Sequence, residues 1–85
     1  LIASNLLISL RIDYEPIVRS NCIWSLGRLY EKVSENLKNE LVELFFSVLL
    51  NDLEPSVRDE CKVALEQIDI PFIRDRLKTL SQQGF

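Results

Sequence analysis

Asp13-Tyr14-Glu15-Pro16-Ile17-Val18-Arg19 is answered 39 residues later by Asp52-Leu53-Glu54-Pro55-Ser56-Val57-Arg58. The match runs on past the arginines, with Cys22 answering to Cys61 and Leu26 to Leu65. Seven of the fourteen positions in the window 13–26 are identical at this offset, where average composition gives about one. A fixed period between about 20 and 50 residues marks a chain built from stacked supersecondary units. The expected architecture is therefore an all-α solenoid of antiparallel helix pairs.

Each prolyl segment reads as the start of a helix. Pro16 and Pro55 suit the first helical position, where the fixed φ is correct and the missing N–H has no intrahelical partner to lose. Asp13, Glu15, Asp52 and Glu54 bring negative charge to the positive ends of the two helices. Apolar residues then recur at helical spacing. The first such helix is expected over about 16–33, with Val18, Cys22, Leu26, Leu29 and Val33 on one face, and the second over about 55–68, with Val57, Cys61, Ala64, Leu65 and Ile68. Gly27 lies inside the first at a propensity cost of about 1 kcal/mol, and a close helix–helix approach is the reason to expect it there.

The rest of the chain fills in around them. Residues 1–10 read as the end of a helix with Ile2, Leu6 and Leu10 in its stripe. Ser34-Glu35-Asn36 is a capping cluster before a helix over about 37–51 whose wide apolar face includes Leu41, Phe45, Phe46 and Leu49. Pro71 opens a last helix to about Ser81, with Phe72, Ile73, Leu77 and Leu80 turned inward and Gln82 to Phe85 frayed. No segment alternates with period two, so no strand is expected.

Composition bounds the function. A net charge of −3 over 85 residues and a pI of about 4.9 oppose nucleic acid and anionic membrane as primary partners. The longest apolar run, Leu44 to Leu50, is too short to span a bilayer and contains Ser47. The N-terminus has no basic segment leading into an apolar core, so no signal peptide is read, and the absence of methionine leads us to expect a piece of a longer protein. Two cysteines without close spacing fit a reducing compartment, cytoplasm or nucleus.

A helix pair with Asp-x-Glu-Pro-x-Val-Arg at its inner turn, then a small residue and a leucine on the second helix, resembles the HEAT repeat. The resemblance covers Ile2 to Ile68: repeat one about 1–33, repeat two about 37–68, and a capping helix about 71–81. The family's repeats run to about 40 residues, and the observed period agrees. The resemblance implies a non-enzymatic protein-binding scaffold or adaptor. It also implies a structural ladder in which turn aspartates meet second-helix arginines, here Asp13, Arg19, Asp52 and Arg58. The second helix of repeat two is wetter than the first, since Ile17, Ile23, Trp24 and Tyr30 become Ser56, Lys62, Val63 and Asp69. Terminal repeats need a polar outer face, so the C-terminal half reads as the end of a longer stack. The alternative is an auxiliary subunit of a HEAT-like bilin lyase, whose repeats share Pro-x-Val-Arg but are shorter than 39 residues.

No enzyme, cofactor or metal is implied. Histidine is absent, which removes the commonest general base and metal ligand. Cys22 and Cys61 fall in apolar stripes on helices expected about 8–10 Å apart, too far for a disulfide, so small core residues are expected. Glu40 with Glu43, and Asp59 with Glu60, read as solvated charge. Arg74, Arg76 and Lys78 beside Phe72 are the single nucleic-acid cue, interrupted by Asp75. The most informative residue is Trp24. At about 100° per residue it lies about 200° from Cys22, with Ile17 about 20° and Arg28 about 40° away. An outward-facing Ile17, Trp24 and Arg28, continued by Val63 on the next unit, has the composition of a protein-binding hot spot.

Overall fold

The computed structural model describes residues 2–85. The chain forms α1 (Ile2–Ile12), α2 (Pro16–Leu29), a single 3-10 turn (Tyr30–Lys32), α3 (Glu35–Asn51), α4 (Pro55–Ile68) and α5 (Pro71–Gln82), with no strand among the described residues. All three prolines occupy the first turn of their helices. Short turns join α1 to α2 and α3 to α4, and each of these pairs packs against itself. The two pairs meet chiefly through α2 against α4, with α1 also touching α3 and α5 resting on α4.

The apolar stripes converge into one layer. Leu7 and Leu10 of α1, Cys22, Ile23 and Leu26 of α2, Leu41, Phe45 and Phe46 of α3, Val57, Cys61 and Leu65 of α4, and Ile73 of α5 are all buried. Among the described residues no side-chain polar atom is buried without a hydrogen-bond partner, as a close-packed layer requires. The wide face of α3 buries both Phe45 and Phe46, and Phe46 also receives the guanidinium of Arg76 from α5 at 4.1 Å from its ring centre.

Several local expectations change. α2 ends at Leu29 and its tail tightens into the 3-10 turn, leaving Val33 extended and only partly buried. α3 begins two residues early because Ser34 itself is the cap, its hydroxyl accepting from the Leu37 N–H at 3.3 Å. Ile2 is exposed rather than buried, and Ala3 takes the inward position beside Leu7. On α5, Ile73 is buried but Phe72 stands 59% exposed, because adjacent helix positions diverge by about 100° and one helix face cannot bury both. The C-terminus is capped, not frayed. Gly84 takes φ 96°, its N–H donates to Ser81 O at 3.1 Å and the Phe85 N–H donates to Leu80 O at 3.0 Å. This pair of bonds is a Schellman motif.

At Gly27 a methyl group in place of hydrogen would lie 3.5 Å from Ala64 Cβ, an ordinary contact. The approach of α2 and α4 at Gly27 therefore leaves room for a methyl group. Gly27→Ala is expected to stabilise by up to about 1 kcal/mol through helix propensity. Gly27→Leu is expected to destabilise by about 1–3 kcal/mol through overpacking. Urea midpoints of the two variants check both signs.

Candidate functional site

Two features lie outside the packed layer: a polar seam along the turns and a mixed ridge on the outer face of α2 and α4. In the seam, both turn aspartates fold back on their own turns, Asp13 Oδ1 accepting from Glu15 N–H and Asp52 Oδ1 from Glu54 N–H, each at 3.0 Å. Such Asx turns fix the chain just ahead of each proline. Arg19 then joins the seam together. Its Nε and Nη2 donate to Asp52 Oδ2 and Oδ1 at 2.9 and 3.0 Å, while Nη1 donates to the carbonyls of Asp13 and Tyr14 at 3.0 and 2.9 Å.

The four seam residues are thus wired differently from one another. The carboxylate–guanidinium contact runs between the helix pairs, from Arg19 to Asp52. Within each pair the arginine meets the backbone carbonyl of its turn aspartate, as Arg58 Nη1 does with Asp52 O at 2.6 Å. The side chains of Arg19 and Asp52 are 16% and 8% exposed, so this fork-to-fork pair is largely withdrawn from water. Burial alone pushes the Asp52 carboxyl up. The Arg19 and Glu54 hydrogen bonds and the nearby positive charges outweigh it and hold the group below its ordinary value. Arg19 is held above its own, first of all by the hydrogen bond to Asp52.

On the ridge, Ile17 is 69%, Trp24 56% and Val63 46% exposed. Arg28 is exposed too, and its guanidinium lies over the Trp24 ring at 4.9 Å from the centroid. This cation–π contact keeps the Arg28 charge beside the indole. All four are exposed on two helices that pack against each other, Trp24 and Val63 at equivalent positions of the repeat, and the structure brings Trp24 and Arg28 into contact. Pattern reasoning did not single out Tyr14 and Leu53, the most exposed large apolar residues among those described. They occupy one repeat position at the turn tips, between the aspartate and the glutamate. That equivalence was the available signal.

Other candidate chemistry resolves into structure. Cys22 and Cys61 are free and buried, and burial drives both thiols above their ordinary range, away from the nucleophilic thiolate. Among the described residues no group of three or more Cys, Asp or Glu side chains is placed to hold a metal ion. Arg74 pairs with Asp69 at 3.4 Å and Arg76 with Glu43 at 2.8 Å, so two of the three cations on α5 are partnered by carboxylates. A groove of about 730 Å³ follows the turns, bordered by Tyr14, Arg19, Asp52 and Leu53. Its Arg19 and Asp52 are already hydrogen-bonded to one another. No helix among the described residues is long and apolar enough to cross a membrane. Comparison with protein-family models, with curated proteins and with solved structures returns no match.

Proposed function

We propose that the chain is a non-enzymatic, protein-binding unit of the HEAT-repeat type, forming the C-terminal end of an α-solenoid in a scaffold or adaptor. The single observation that carries this is the exposure of Ile17, Trp24, Arg28 and Val63 on two helices that pack against each other, with Arg28 stacked on Trp24. An apolar patch with a stacked Trp–Arg pair offers the residue types that dominate protein interfaces. The arginine also gives a partner carboxylate somewhere to bind. Repetition at 39 residues and the meeting of α2 with α4 support the solenoid reading. The polar outer face of α4, with Lys62, Glu66 and Asp69 exposed, supports its placement at an end.

The test is capture of partners from cell extract on immobilised chain, wild type against Trp24→Ala. Removing a hot-spot tryptophan costs about 2 kcal/mol or more, so capture of the specific partner is expected to fall by tenfold or more. The urea midpoint should hold within about 0.5 kcal/mol because Trp24 lies outside the core. Undiminished capture by the folded variant would remove the ridge from the reading.

A further inference from the structure

Arg19 and Arg58 stand at equivalent positions of the repeat and are anchored alike. Each donates through Nη1 to the backbone carbonyl of its own turn aspartate, Arg19 to Asp13 O at 3.0 Å and Arg58 to Asp52 O at 2.6 Å. The remaining fork of Arg19, Nε and Nη2, holds the Asp52 carboxylate. On Arg58 the same two nitrogens have no acceptor among the described residues. Arg58 is half-buried and borders a cavity of about 420 Å³ together with Leu49 and Leu50 of α3, Asp59 and Lys62 of α4, and Phe85. The Phe85 wall is set by the cap of α5. Gly84 at φ 96° turns the chain back, and the Phe85 N–H donates to Leu80 O. Neither Arg58 nor Lys62 forms an ion pair among the described residues, so two cations against the one carboxylate of Asp59 leave the rim with a surplus of positive charge.

We infer that this cavity binds a small amphipathic carboxylate, its head held by Arg58 Nε and Nη2 with the Lys62 ammonium as second cation, and its apolar part against Leu49, Leu50 and Phe85. The Arg19–Asp52 contact is the template within the same chain, a carboxylate held bidentately by an arginine whose third nitrogen is tied to its turn. The apolar walls ask for a ligand with a hydrocarbon part, and the volume lies in the range of about 300–1,000 Å³ usual for small-molecule sites. A helix with its side chains is about 10–12 Å across, so a space of about 420 Å³ does not take a further helix pair. α5 already packs on α4 beside it. A phosphate ester carries close to two negative charges, and Asp59 on the rim opposes the second. A monoanion fits the balance.

The probe is octanoate, with octanol as the same chain without the charge and acetate as the head without the chain. Titration of the 85-residue chain followed by heteronuclear NMR should show octanoate shifting the amides of Leu50, Lys62 and Phe85. Octanol and acetate should each bind at least about tenfold more weakly. Arg58→Lys keeps the charge and loses the fork, so it should weaken octanoate about tenfold, while Arg74→Lys on the exposed side of α5 should leave it unchanged. If Arg58→Lys does not fold, the three ligands compared on the wild type decide alone. No shift with octanoate, equal affinity for octanoate and octanol, tighter binding of inorganic phosphate, or shifts centred away from the cavity overturns the inference. Trp24 takes no part in these readouts, so failure here and failure of the capture experiment are distinguishable.

Discussion

Asp52→Ala is expected to destabilise the protein by about 3 kcal/mol, far beyond the loss of an exposed ion pair. Exposed pairs contribute about 0–1 kcal/mol, and the Arg11–Glu40 contact, with both side chains more than 40% exposed, belongs to that class. Removing one member of a largely buried pair is different because the other charge is left without its partner, at a cost of about 3–5 kcal/mol. Arg19 keeps its bonds to the Asp13 and Tyr14 carbonyls, which places the expectation at the low end. The Glu54 N–H also loses its acceptor. The double variant Arg19→Met, Asp52→Ala is expected to recover part of the loss, since it removes the stranded guanidinium. Urea midpoints of the three variants form the cycle that isolates the pairwise contribution.

The same pair gives the stability a sign with pH. The native Asp52 carboxyl titrates below its ordinary value of 3.8, so the unfolded chain binds this proton more readily than the folded one. The pair's stabilisation is complete above about pH 5, diminishes as pH falls through 3.8, and is gone below the native value. The difference in urea midpoint between wild type and Asp52→Ala should therefore be constant from pH 8 to 5 and shrink below pH 4. A difference that grew on acidification would contradict the assignment.

Phe45→Ala is expected to have the largest effect of any single truncation, about 3–5 kcal/mol. Phe45 is fully buried in the single apolar cluster to which all five helices contribute. A domain of this length has only about 4–13 kcal/mol of stability in total, so the variant loses between about a quarter of that and all of it. At about 4–8 °C per kcal/mol, the melting transition should fall by at least about 12 °C or vanish. Phe72→Ala is the control. Phe72 is 59% exposed, and its truncation is expected to cost less than about 1 kcal/mol. Calorimetry or thermal circular dichroism on the pair of variants decides between them.

Much of this was readable from the residues because the helix starts are written in local chemistry. Proline at the first helical position and an acidic turn ahead of it act within four residues, so Pro16, Pro55 and Pro71 marked helix starts without tertiary information. The places that escaped are those decided by neighbours distant in sequence. Ile2 and Phe72 fit apolar stripes, but a stripe does not say how much of it the next element covers. The early end of α2 is a backbone choice made where Tyr30 turns inward, and no breaker residue announces it. The bidentate contact between Arg19 and Asp52 crosses 33 residues, so the motif shows that both groups exist and not which of the two aspartates each arginine meets. Gly84 was a legible signal. A glycine just past a helix permits a positive φ at its end, and the Schellman bonds follow from it.

The seam at the turns also bears on how the two halves came to differ. Ile17, Ile23 and Trp24 could become Ser56, Lys62 and Val63 without shifting the turns, because the distance between successive turns is gauged by hydrogen bonds from one guanidinium and not by the bulk of the residues beneath. A hydrogen bond has nearly the same length whatever packs below it. The side chains beneath can therefore differ in size and polarity between the two helix pairs, while the Arg19–Asp52 contact holds the two turns together.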